Sequence, residues 1–187
     1  MSSTASPYGL APVNHPSGVI RPFAMSISTG YATTIYQNQP IAIDATTGNV
    51  VAAAVGAAFV GSFQGVEWTD TDGRRRISNK WTATTAGTDI VAYVTTDPTI
   101  TYEIQSNAAL NVSDIGSQYN TTAITNGNAT TGLSSMALDV STVTTSGVGQ
   151  LRLIGIVPGP DNAWGDTYVN ALVQISKHQN VATVNAY

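Results

Sequence analysis

The chain has 187 residues, 42% of them hydrophobic and only 10% charged, with a net charge of −4. That length fits one domain burying ~70% of its unfolded surface, and the hydrophobic fraction excludes wholesale disorder. The acidic balance argues against a nucleic-acid partner, which would require a basic face.

Globular domains carry about 25% charged residues, so Thr, Ser, Asn, Gln, Ala and Gly here fill places that Lys and Glu normally hold. Two readings stay open: a surface covered by neighbours in an assembly, or a β-domain with Thr-rich faces. There is no Cys, which suits assembly in a reducing cytosol as well as a disulfide-free β-protein. The opening residues lack the charged and apolar regions of a signal peptide. Val50 to Val60 is apolar but far short of the ~20 residues that cross a bilayer. The expectation is therefore a protein made in the cytoplasm with no membrane partner, in which the sequons at Asn111, Asn120 and Asn128 are chance products of an Asn/Thr-rich chain.

Residues Met1 to Pro22 read as an extended N-terminal arm, and 23–187 as a single β-rich domain. Pro7, Pro12, Pro16 and Pro22 forbid a helix and remove ladder donors. Tyr8, Leu10, Val13, Val19 and Ile20 are apolar, so the arm is expected to lie against a surface. Its deletion is expected to leave the fold intact and to weaken binding.

Strands are predicted at Ala32–Tyr36, Ile41–Asp44, Val50–Ala54, Phe59–Trp68, Arg75–Trp81, Ile90–Thr95 and Ile100–Gln105. Frequent turn residues separate them, as in an all-β sandwich or barrel of jelly-roll-like type. Asp72-Gly73 marks a tight hairpin in which both residues are expected at positive φ. Ala108 to Ile115 supports at most a helical turn, and Ser117 to Gly132 reads as a polar surface loop. Further strands follow at Ser135–Val140, Leu151–Val157 and Tyr168–Ser176, before a polar tail from Lys177 to Tyr187. Leu151–Val157 is apolar on both faces, as a central strand requires.

Residues suited to chemistry are few. His15 and His178 lie at opposite ends, and without Cys a metal site would need both plus carboxylates. No Ser stands in a Gly-x-Ser-x-Gly elbow. Asp70-Thr-Asp72-Gly73 opens like a calcium loop, but Arg74 takes the next ligand position. Asp161, Asn162 and Asp166 suit a hard cation or, as loop Asp and Asn more often do, the fixing of their own turn. No cofactor is expected.

On a hairpin of period two, Arg74 and Arg76 share one face and Arg75 the other, with Glu67 close enough for a cross-strand ion pair. Trp68 and Trp81 are assigned to the core. Trp164, in a loop, is assigned to a contact surface.

Six segments spread along the chain carry a resemblance. They are Tyr8-Gly-Leu-Ala-Pro-Val-Asn-His15, Thr29-Gly-Tyr-Ala-Thr-Thr-Ile-Tyr36, Gly61 to Trp81, Ala92-Tyr-Val-Thr-Thr-Asp-Pro98, Gln150-Leu-Arg-Leu-Ile-Gly155 and Pro160 to Asp166. In that order the chain resembles the capsid decoration (cement) proteins of tailed phages. The resemblance implies a non-enzymatic virion protein on the outer surface of an icosahedral head, bridging subunits of the major capsid protein. Contacts to the capsid or to other copies are then expected at Tyr8, Leu10, Val13, His15, Glu67, Arg74, Arg75, Arg76 and Trp164. A homotrimer at local three-fold axes is favoured over a dimer at two-fold axes. The rival readings are a carbohydrate- or receptor-binding module of a tail or fibre, with Trp164 as stacking platform, and, third, a hydrolase.

Overall fold

The computed structural model describes residues 4–144 and 147–182. Twelve strands are present among them: β1 Ala11–Asn14, β2 Phe23–Met25, β3 Pro40–Ile43, β4 Val50–Ala52, β5 Gly61–Asp70, β6 Arg75–Ser78, β7 Gly87–Thr95, β8 Thr101–Gln105, β9 Gln118–Thr121, β10 Leu138–Thr144, β11 Leu151–Ile156 and β12 Asn170–Ile175. The single helical element described is one 3-10 turn, Val112–Asp114.

The strands form two six-stranded antiparallel sheets packed together as a β-sandwich, as the short, punctuated strands predict. The first sheet runs β1-β8-β12-β11-β9-β10, and the second runs β2-β7-β5-β3-β4 with β6 beside the outer half of β5. The apolar β11 lies between β12 and β9, a central position; Leu151 and Leu153 are buried on its inner face, while Ile154 on the other face is exposed.

Two apolar clusters fill the molecule. One collects Tyr102, Ile104, Leu151, Leu153 and Val173 from the first sheet with Phe59, Ala53 and Leu10. The other collects Ile41, Phe63, Val66, Ala92 and Val94 from the second sheet under the loop carrying Ile27 and Ile35, with Trp81 at its end. Phe59 and Val60 point into different clusters, as alternation along an extended chain requires.

The segment after β12 stitches the sheets together. Phe59 N–H donates to Lys177 O and Gln179 N–H to Phe59 O, while the Gln179 side chain pairs with both backbone groups of Ile43. His178 is buried in this seam. Its Nε2 lies 3.1 Å from Thr96 O, and its Nδ1 accepts the Asn180 N–H at 3.0 Å. Both bonds suit a neutral ring protonated on Nε2. Residues 177–180 thus belong to the fold, where the sequence suggests a trailing tail; 183–187 lie outside the described residues.

Burial holds the His178 pKa below its ordinary value. The unfolded chain therefore takes up a proton first as pH falls. Stability from this site is full above about pH 6.5 and declines below it. Denaturant midpoints measured from pH 7.5 to 5 are expected to fall more steeply for the native chain than for His178→Gln. Parallel profiles would show that His178 is not the titrating group.

The arm is the main departure from expectation. It is extended, but it is part of the sandwich rather than an appendage to it. β1 pairs with β8 through Ala11↔Glu103 and Pro12↔Tyr102, and Leu10 is 0% exposed inside the first cluster. Pro12 is tolerated because β1 is an edge strand whose outer side needs no donor. Gly9 has φ +82, and a Cβ there would run into Asn38 O and Ser134 Cβ. The boundary placed at Pro22 therefore separates no independent unit.

Candidate contact surface and arm pocket

Two regions gather the residues singled out by sequence. The first is the β5–β6 hairpin. Its register pairs Glu67↔Ile77, Trp68↔Arg76 and Thr69↔Arg75, which places Arg75 and Arg76 on opposite faces as predicted. The turn differs from expectation. Gly73 alone takes positive φ, because Asp70 N–H donates to Arg74 O and Gly73 N–H to Asp70 O across a three-residue loop. Asp72 instead accepts the Arg74 N–H through its side chain at 3.0 Å.

Arg75 Nη2 meets Glu67 Oε1 at 2.8 Å, and the Tyr93 hydroxyl donates to the same oxygen at 2.8 Å. Arg76 reaches Asp70 and Asp72, each at 3.2 Å; Arg74 lies 3.6 Å from Asp72. Three arginines thus face three carboxylates, and the hairpin is neutral. The guanidinium of Arg75, then the Tyr93 hydroxyl, hold the Glu67 carboxyl below the usual carboxylate range. Hydrogen bonding to Glu67 in turn raises the Tyr93 phenol. These pairs are largely open to solvent and add little to stability; their effect is to fix the hairpin's shape. Opposite Glu67, Ile77 is 80% exposed. The sequence reading missed it, although an Ile placed on the same face as Glu67 by alternation was legible.

Trp68 and Trp81 take the core places assigned to them. Trp81 is buried and Trp68 packs against the same cluster, their rings 6.0 Å apart and edge-on at 76°. Trp164 is half-buried and packs against the first cluster, so much of its indole seals the core margin. In its loop Asn162 Nδ2 donates to Val157 O and Asn170 O, while its Oδ1 accepts Asn170 N–H. Asp166 accepts Ala163 N–H at 2.9 Å. These bonds are those of a turn holding itself. Among the described residues no group of His, Asp or Glu is arranged to hold a metal ion, and no helix is long and apolar enough to cross a membrane.

The second region is the arm beyond β1. His15 Nε2 lies 3.2 Å from Asp97 Oδ2, and its Nδ1 lies 2.6 Å from Ser17 Oγ. Thr99 holds Asp97 from the other side through its N–H and hydroxyl; these bonds, with His15 after them, keep the Asp97 carboxyl low. Ser17 Oγ also lies 3.3 Å from Val19 O and 3.4 Å from Val19 N, so this hydroxyl fixes its own turn. Val13 is exposed. Tyr8 is half-buried and donates to Glu103, and burial, then that carboxylate, push its phenol well above the ordinary range. Leu10 has no exposed surface, so its place among the contact residues is corrected: it is a core residue.

Family models, curated proteins and solved structures contain no match to the chain.

Proposed function

We propose that the protein is a non-enzymatic virion component that decorates the outer surface of an icosahedral phage head and bridges subunits of its major capsid protein. The observation that carries this reading is the hairpin: a charge-neutral frame of three ion-paired arginines presenting an exposed Ile77. A neutral rim around an apolar residue is the composition of an interface patch rather than of a nucleic-acid contact. The low overall charge and the segments resembling cement proteins point the same way. Copies of the chain are placed as trimers at three-fold positions ahead of dimers, since closed symmetry covers sheet edges that few charges guard.

Ile77 makes the reading testable without disturbing the fold. Ile77→Asp is expected to leave the thermal midpoint within a degree or two, because the side chain is already in water. Binding to heads stripped of the protein should weaken at least tenfold, on the order expected for an apolar anchor. Unaltered binding would remove the hairpin from the interface. Decorated heads should also rupture at higher temperature than stripped ones, since a ligand of the assembled state alone stabilises it by mass action.

A hydrolase reading finds some support in the Ser17–His15–Asp97 chain, but the hydroxyl is committed to its own turn. Steady turnover of an activated ester that disappears in Ser17→Ala would favour it.

A further inference from the structure

Between the arm and the turn before β8 lies a half-open pocket of about 480 Å³. Its walls are Val19, Ile20, Phe23 and Ile100, with His15 and Asp97 on one side. Val19 and Phe23 keep 52% and 58% of their surface exposed, an uncovered apolar lining on a chain whose other large aromatics are mostly buried or half-buried. Arg21 also lines it.

Among the described residues Arg21 differs from the other arginines and lysines. Arg74, Arg75 and Arg76 are paired with carboxylates. Lys80 donates to Ala129 O, Arg152 to Gln174 and Lys177 to Gly56 O. Arg21 makes no such bond among the described residues. The carboxylate that shares the pocket lining, Asp97, is engaged by Thr99 and His15. An unpaired guanidinium beside an apolar pocket of this volume has the layout of a small-molecule site: hydrophobic walls with one polar group that fixes orientation. The planar guanidinium fork matches a carboxylate in two parallel hydrogen bonds.

We propose that this pocket binds a small apolar carboxylate, its hydrocarbon body against Val19, Phe23 and Ile100 and its carboxylate on Arg21. Neither the pocket nor its ligand depends on the shell contact proposed above. His15, pinned by Asp97 and Ser17, is a fixed wall rather than the anion's partner.

The test is an NMR titration of the full chain with 3-phenylpropionate, 3-phenylpropionamide and inorganic phosphate, read at the methyl groups of Val19, Ile20 and Ile100. The carboxylate is expected to shift these signals saturably with a dissociation constant of about a millimolar, as befits a ligand of this size in a half-open site. The amide should bind at least about fivefold more weakly, and Arg21→Gln should cost the carboxylate a similar factor at an unchanged thermal midpoint. Phosphate alone should leave the methyl signals unmoved. The proposal is overturned by shifts that do not saturate, by equal binding of the amide, by an Arg21→Gln chain that binds as well as the native one, or by phosphate producing the same response.

Discussion

Removal of residues 1–14 is expected to abolish cooperative folding, although these residues read in sequence as a detachable arm. Leu10 fills the first core cluster with no exposed surface, and its loss alone is worth about 2–5 kcal/mol. β1 covers the outer edge of β8, and Asn38 O accepts the Leu10 N–H at 2.7 Å while Ser62 Oγ donates to Leu10 O at 2.6 Å. Truncation therefore also uncovers a ladder, leaves the Asn38 carbonyl without the Leu10 N–H and leaves the buried Ser62 hydroxyl without its acceptor. Against a total stability of about 5–15 kcal/mol, the sum leaves little or nothing. Leu10→Ala separates the contributions: a loss of about 3 kcal/mol in urea unfolding, with an unchanged slope, is expected. A truncated chain that melts sharply near the native midpoint would show that the arm is dispensable to the fold.

The second large effect is expected at Gln150. This side chain is 0% exposed, and every polar atom it has is used across the sheets. Nε2 donates to Ala54 O at 3.0 Å and to Ala57 O at 2.9 Å. Oε1 accepts the Thr121 N–H and hydroxyl, each at 3.2 Å. Gln150→Leu keeps the volume but leaves Ala57 O, the Thr121 N–H and the Thr121 hydroxyl without these partners, whereas Ala54 O keeps the Ala57 N–H. Each such orphan costs about 1–3 kcal/mol when buried, so a loss of about 3 kcal/mol or more is expected by chemical denaturation. A loss below about 1 kcal/mol would mean that the 54–57 turn relaxes freely and that Gln150 does not clamp the sheets.

Gln150 also shows why part of the fold was illegible. Strands rich in branched apolar residues declare themselves locally, β7, β8 and β12 through alternation and β11 through its nearly unbroken apolar run. β9, Gln118–Thr121, does not: its sequence is polar and reads as a loop, yet three of its four residues are buried. Gln118 and Thr121 are satisfied inside by Gly149 and Gln150, partners supplied from about thirty positions away. No local pattern encodes that. β1 was hidden for the opposite reason, because Pro12 argues against a strand unless the strand is known to be an edge. Ala32–Tyr36 failed as a strand because Ile35 makes only an isolated bridge to Trp81 while its loop lids the second cluster. The hairpin, with its face assignment for Arg75 and Arg76, was legible because period two is a local rule. The arm pocket was not, since His15 and Asp97 meet only once the sandwich has formed.

The shell-decoration reading is tested most directly by counting. On that reading the chain is encoded by a phage, and quantitative protein analysis of its purified virions should recover the chain in a fixed ratio to the major capsid protein. That ratio should be of the order of one per capsomer or higher, and it should fall selectively when Ile77→Asp is introduced. Recovery of only a few copies per particle, or a ratio matching tail components and indifferent to Ile77, would contradict it.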